Sequence, residues 1–271
     1  MSSSISILGC GWLGFPLAQR FLELGYSVKG STTTTQKLTI LREAGIQAFV
    51  ITANPELDGE NLKDFFQSDV LFLNIPFKRE LSDPFYYKQQ MTSVIAHMIR
   101  FSLPRVIFAS STSVYPDDIK EATEESDFIP ADPRAKILHE IEQMLLSHSR
   151  FKTTVLRFGG LYGGSRQIGR FLTGQKGLTN GHQPVNLIHL DDCINIVVEI
   201  VLQNQWGEIF NACSDGHPLR KDLYIRAAEE LGLPPPSFAA EKQGGYKIVS
   251  NKKLKAHLNY QFQHPYPLGL P

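Results

Sequence analysis

The chain has 271 residues, 42% hydrophobic and 20% charged, a composition that can build a substantial core and carries no signature of disorder. Lysine plus arginine equals aspartate plus glutamate at 27 each, so no bulk charge field calls for nucleic acid or an anionic membrane. Cys10, Cys193 and Cys213 are too few and too scattered for a disulfide framework or a cysteine-based zinc site, and no metal is expected. With neither a cationic leader nor an apolar run of about 18 residues, a reducing cytoplasm is the expected compartment.

The apolar run Ile5–Leu8 leads into Gly9, Gly11 and Gly14 at G-x-G-x-x-G spacing, and then into Pro16, Leu17, Ala18, Phe21 and Leu22 at helical period. That order reads as strand, tight turn, helix. Gly9 permits the turn, Gly11 lets the backbone approach a pyrophosphate, and Gly14 lets helix and strand pack closely. The N–H groups around Trp12, Leu13 and Gly14 at the helix start would hold the phosphates.

Gly25 closes this helix, and Tyr26–Lys29 forms a second strand. An NAD site usually places Asp or Glu about 20 residues past the fingerprint, on the ribose 2′-hydroxyl. Here the strand runs into Gly30, Ser31, Thr32, Thr33, Thr34 and Thr35, with no carboxylate between Glu23 and Glu43. Small hydroxyls with Lys37 nearby accept a 2′-phosphate without repulsion, so NADP is expected in preference to NAD, with Ser31, Thr32 and Thr33 as contacts. The same residues also suit the cap of a following helix.

Ala48–Ile51 and Val70–Leu73 read as the third and fourth strands, with Leu62–Phe66 helical between them. The fourth ends in Asn74, Ile75, Pro76 and Phe77, where the crevice beyond parallel strands would receive the adenosine half of a dinucleotide. Tyr86–Phe101 is a long helix whose apolar stripe of Met91, Val94, Ile95, Met98 and Ile99 belongs to the core. Val106–Ala109 is a fifth strand and runs into Ser110, Ser111, Thr112, Ser113, Val114 and Tyr115.

This SSTSVYP run resembles the extended branch of the short-chain dehydrogenase/reductase superfamily, the nucleotide-sugar epimerases and dehydratases. Three later stretches resemble it in the same order: LRFGGLYGG at Leu156–Gly164, VNLIHLDD at Val185–Asp192 and GEIFNACSD at Gly207–Asp215. The resemblance implies that Ser111, four residues before Tyr115, orients a substrate oxygen, with Ser110 beside the cofactor. It also implies a Tyr and, four residues later, a Lys on one helix face. In such a pair the ammonium lowers the phenol pKa, and the phenol exchanges a proton with substrate during hydride transfer.

Here the sequence departs from the pattern. Aligning Asp132 and Pro133 with the family's Ser-Pro puts Arg134 where Tyr belongs and Leu138 where Lys belongs. Arginine stays protonated at ordinary pH, and leucine carries no proton. A shift of two places Lys136 correctly but leaves Asp132 in place of Tyr. The chain therefore resembles an atypical subgroup without the standard pair. Tyr115, Tyr162 and His189 are the alternative donors, weighed against packing roles, and Asp191 and Asp192 read as helix caps.

Thr153–Arg157 is a sixth strand, followed by a flexible turn at Gly159, Gly160, Gly163 and Gly164. Arg166 and Arg170, with Tyr162, are substrate-binding candidates, since two cations four apart can clamp a phosphate or carboxylate. Leu172–His182 is expected as a flap, Asn195–Leu202 as a helix, Ile209–Ala212 as a strand and Leu219–Leu231 as a helix stopped by Gly232 and Pro234. A short strand at Tyr246–Val249 and a helix at Lys252–Leu258 close the chain.

The expected fold is α/β, a Rossmann-type doubly wound, mainly parallel sheet. Residues 1–164 with 186–212 would form the NAD(P)-binding domain, and residues 165–185 with 213–271 a small discontinuous substrate lobe. The expected function is that of an epimerase/dehydratase-type oxidoreductase or epimerase on a sugar-like or small polar substrate, with NADP or NAD as cofactor. A homodimer is the expected assembly, with neither nucleic acid nor membrane as partner. The alternative is a catalytically inactive NADP(H)-binding sensor or scaffold.

Overall fold

The computed structural model describes residues 3–77, 83–239 and 244–270, and the chain lays down its elements in a βαβ alternation. The first half contains β1 (Ser4–Leu8), α1 (Gly14–Glu23), β2 (Ser27–Thr32), α2 (Leu38–Glu43), β3 (Gln47–Ala53), β4 (Leu57–Gly59), α3 (Leu62–Phe66), β5 (Val70–Leu73), α4 (Phe85–Arg100) and β6 (Arg105–Ser111). There follow β7 (Lys120–Ala122), α5 (Pro133–Leu146), β8 (Lys152–Phe158), β9 (Gly160–Tyr162), β10 (Leu187–His189) and α6 (Leu190–Leu202). The chain ends with β11 (Ile209–Ala212), α7 (Arg220–Glu230), β12 (Lys247–Val249) and α8 (Lys252–Leu258).

One eight-stranded sheet has the order β11-β8-β6-β5-β1-β2-β3-β4. β1 pairs in parallel with β2 and β5, β2 with β3, and β5 with β6, whereas β4 turns back antiparallel on β3. The expected doubly wound, mainly parallel sheet is therefore present. Strand order reverses at β1, so the carboxyl ends of β1 and β5 flank the switch point where such sheets take ligands. β5 is buried along its whole length, as a continuous Val-Leu-Phe-Leu run between two covered faces must be. On α1, Leu17, Ala18 and Phe21 are fully buried, and Leu17 and Phe21 each contribute about 1.5–3 kcal/mol through lost apolar exposure.

The chain divides into two compact units, one of residues 1–110, 132–156 and 200–209, the other of residues 111–131, 157–199 and 210–271. This grouping differs from the domains expected from sequence, since residues 111–131, 157–164, 186–199 and 210–212 fall in the second unit. The second unit contains the parallel pairs β9/β10 and β7/β12. It also holds an apolar cluster of Tyr162, Ile168, Val185, Leu187, Leu223 and Ala227.

Strands β4, β7, β9 and β10 were not expected, because a three-residue strand is too short for alternation to register. The glycines after β8 are not a loose turn. A Cβ on Gly159 would stand 2.8 Å from the Asn186 carbonyl oxygen, and one on Gly160 2.6 Å from a Leu187 methyl, so bare backbone is what lets β9 approach β10. The segment expected as a flap is hydrogen-bonded to residues 237–239, with Leu178 N–H donating to the Ser237 carbonyl at 2.9 Å.

Candidate dinucleotide site

The three glycines after β1 meet three different surroundings. Gly9 has φ +112°, and a Cβ there would lie 2.6 Å from the Asn74 carbonyl oxygen, so both conformation and space demand glycine. At Gly14 a Cβ would lie 2.2 Å from the Gly9 carbonyl oxygen, which is what seats α1 against β1. Around Gly11 no atom of the described residues other than its two chain neighbours comes within 4 Å of the Cβ position. Gly9 and Gly14 are closed by the protein's own atoms, and Gly11 is open. A cradle that a side chain would fill is the fit a pyrophosphate requires.

The loop is held from both sides. The Gly9 N–H donates to Ser31 Oγ and the Cys10 N–H to the Ser31 carbonyl, each at 2.9 Å, while Asn74 Nδ2 donates to the Gly9 carbonyl at 3.1 Å. Ser31 and Asn74 thus fix the cradle from the ends of β2 and β5. Cys10 is buried beside Gly30, and burial pushes its thiol up to about 12, so it is a spacer and not a nucleophile. α1 begins without a side-chain cap and without an acidic residue in its first turn. An uncapped helix start of this kind favours an anion. Trp12 is half-buried and Leu13 buried at its entrance.

At the end of β2, Thr32 is 7% exposed and its Oγ1 accepts the Thr34 N–H at 3.3 Å, whereas Thr33, Thr34 and Lys37 are exposed. Beyond β5, Tyr87 donates its hydroxyl to the Ile75 carbonyl at 2.9 Å, and Phe77 stacks on the Tyr87 ring at 4.3 Å. Pro76 is exposed between them.

The start of α5 is built differently. Asp132 caps it, accepting the N–H groups of Arg134 at 2.8 Å and Ala135 at 3.0 Å, with Pro133 in the first turn. The Arg134 guanidinium lies 4.5 Å over the Phe77 ring, extending the Tyr87–Phe77 stack, while Leu138 is buried at 6% exposure. Lys136 is exposed. Ser110 is buried and donates its hydroxyl to Glu142 Oε1 at 2.5 Å, so it ties β6 to α5 and does not present that hydrogen outward.

In the second unit, Ser111 Oγ accepts the Ser113 N–H at 3.1 Å, which leaves the hydroxyl hydrogen to donate elsewhere. Tyr115 corrects the sequence expectation. It is 2% exposed, and its hydroxyl meets Arg157 Nη1 at 2.7 Å and the Thr123 carbonyl and Asn211 Oδ1 at 2.9 Å. Burial raises its pKa against the opposing pull of Arg157. A phenol so enclosed packs and does not donate to substrate. Arg157, 1% exposed, lies over the Tyr115 and Phe128 rings. Arg157 and Asn211 sit in two of the motifs that resemble the family, and a polar side chain among apolar strand residues was the available signal for them.

Tyr162 is 7% exposed in the apolar cluster, and burial, reinforced by Asp192, pushes its phenol up to about 12. Arg166 and Arg170 are exposed, and Arg170 Nε donates to Gln167 Oε1 at 2.8 Å. The expected caps Asp191 and Asp192 both lie inside the first turn of α6, and His189 Nδ1 instead accepts the Asp191 N–H at 3.2 Å. No helix among the described residues is long and apolar enough to cross a membrane.

Comparison with known proteins gives this geometry a family. Protein YeeZ of Escherichia coli K12 is 33% identical over 273 residues, spanning 98% of each chain. A short-chain dehydrogenase/reductase superfamily protein from Agrobacterium tumefaciens, solved with bound NAD, is similar at a TM-score of 0.77 and 17% identity over 96% of this chain and 92% of that one. A UDP-glucose 4-epimerase from Thermotoga maritima, solved with UDP-glucose, is similar at a TM-score of 0.78 and 17% identity over 96% of this chain and 94% of the other. These two likenesses concern the fold. The model of the NAD dependent epimerase/dehydratase family matches residues 5–213, and the chain belongs to that family.

Proposed function

We propose that the chain binds NADP(H) in preference to NAD(H) and works as an epimerase/dehydratase-type oxidoreductase or epimerase on a nucleotide sugar or another small, sugar-like substrate. The observation that carries the reading is the open space over Gly11 between two glycines that packing has closed. Gly9, Gly11, Trp12, Leu13 and Gly14 would hold the pyrophosphate, and Asn74, Ile75 and Pro76 the neighbouring adenosine half. Ser31 supports the loop from behind. Exposed Thr33 and Lys37, with no carboxylate from Gly30 to Lys37, favour a 2′-phosphate. When bound, the dinucleotide supplies a reversible hydride acceptor. Ser111 donates its hydroxyl hydrogen to a substrate oxygen, and Arg166 and Arg170 attract the anionic part of the substrate. The likeness to an enzyme solved with UDP-glucose supports the substrate class. We place the protein in the cytoplasm as a homodimer.

A second reading, an NADP(H) sensor without turnover, is favoured by Arg134 and Leu138 at the positions where the family has its Tyr and Lys. Titrating NADPH and NADH against intrinsic fluorescence, to which Trp12 and Trp206 contribute, measures binding. A screen of nucleotide sugars and simple carbonyl compounds for cofactor oxidation, by the wild type and by Ser111→Ala, separates the readings. Turnover that disappears in Ser111→Ala supports the enzyme. Tight NADPH binding with no turnover supports the sensor, and failure to bind either coenzyme defeats both.

A further inference from the structure

Within the second unit, His189, Asp191 and His264 bring one ligand atom each to within 4.8 Å of one another. His189 Nδ1 lies 3.3 Å and His264 Nε2 3.1 Å from the same oxygen, Asp191 Oδ2. The two imidazole rings approach to 3.7 Å between centroids. All three side chains are partly exposed, at 16%, 50% and 40% for His189, Asp191 and His264, so the cluster is reachable from solvent.

The arrangement is fixed by its neighbour. Asp192 is fully buried, and its carboxylate accepts the Tyr260 hydroxyl and the Gln263 N–H at 2.8 Å and the His264 N–H at 3.0 Å. These bonds anchor the backbone of His264, while β10 and the start of α6 anchor His189 and Asp191. A tetrahedral ion with bonds of about 2.0–2.1 Å sets adjacent donor atoms about 3.3–3.4 Å apart. Both nitrogen-to-oxygen separations match that edge to within a few tenths of an ångström. The donor chemistry selects the ion: two imidazoles and one carboxylate suit zinc and its first-row neighbours, not calcium or magnesium, which take oxygen.

We propose that His189, Asp191 and His264 form a site for a divalent transition-metal ion of the zinc class, with three protein ligands and a fourth position open to water. The ion takes the His189 Nδ1 lone pair that now accepts the Asp191 N–H at 3.2 Å. It replaces the direct contact between His264 and Asp191. The bound ion clips the segment around His264 to the start of α6, alongside the Asp192 hydrogen bonds.

The test uses the full chain without a histidine tag, stripped with chelator and titrated with zinc chloride by calorimetry, then with cobalt chloride in the visible. Expected are one equivalent of zinc per chain, a raised melting temperature and the intense visible band of four-coordinate cobalt. Asp191→Asn, nearly isosteric, and His264→Ala should each weaken zinc at least tenfold. His257→Ala, at an exposed position of α8, should leave affinity unchanged. Absence of saturable zinc binding, an Asp191→Asn protein that binds as the wild type does, or equal weakening by His257→Ala overturns the proposal. In that event the three residues are a hydrogen-bonded relay and nothing more.

Discussion

Two helices of the first unit begin in opposite ways. α1 starts from glycines, with no side-chain cap and with open space over Gly11. α5 starts from Asp132, whose carboxylate already occupies two of its N–H groups, and its first turn sends Arg134 onto the Phe77 ring. One helix start carries no side-chain cap, and the other is satisfied from within. The difference separates a helix start without a side-chain cap from one closed by its own carboxylate.

Substitutions at the two helix starts can break or sharpen that contrast. The largest effect is expected from Gly14→Val, which drives a side chain into the Gly9 carbonyl and should cost about 3 kcal/mol of stability, read as a lower urea midpoint. Gly11→Val should leave that midpoint unchanged, because its space is empty of protein, yet weaken NADPH by tenfold or more, about 1.4 kcal/mol. Unchanged affinity in a folded Gly11→Val protein would remove the cradle from the account. Asp132→Ala should cost about 1 kcal/mol of stability through the lost cap, with coenzyme affinity unaltered. If affinity fell instead, the α5 start would be part of the binding site and the contrast would fail. The smallest effect belongs to Thr32→Asp. Its carboxylate can still accept the Thr34 N–H, so the fold holds, and the NADPH:NADH affinity ratio should fall about threefold, roughly 0.65 kcal/mol. A ratio that does not move would refute the hydroxyl argument for NADP.

The sheet was legible because its central strands are long apolar runs and its helices carry stripes. β5 and α4 could be read directly. Within the loop, the spacing put a turn at Gly9 and a close approach at Gly14, where the structure has a positive φ and the Gly9 carbonyl close by. Side-chain destinations were not legible. Nothing in SSTSVYP says that Ser110 turns to Glu142, 32 residues away, or that Tyr115 is closed in by Arg157 and Asn211. Such partners are distant in sequence, and a serine or tyrosine reads the same whether its hydroxyl faces a ligand or the core. The His189–Asp191–His264 cluster was hidden for the same reason, since His264 lies in a segment without period or motif.

Among the described residues the buried carboxylate of Asp192 finds its hydrogen-bond partners at Tyr260, Gln263 and His264, some 70 residues further along the chain. Until that stretch is in place the carboxylate must stay hydrated, so the second unit cannot be completed without residues 260–264. Proteins shortened before Tyr260 would bury a naked charge or keep water in the core, and are expected to be recovered as proteolysed or aggregated material.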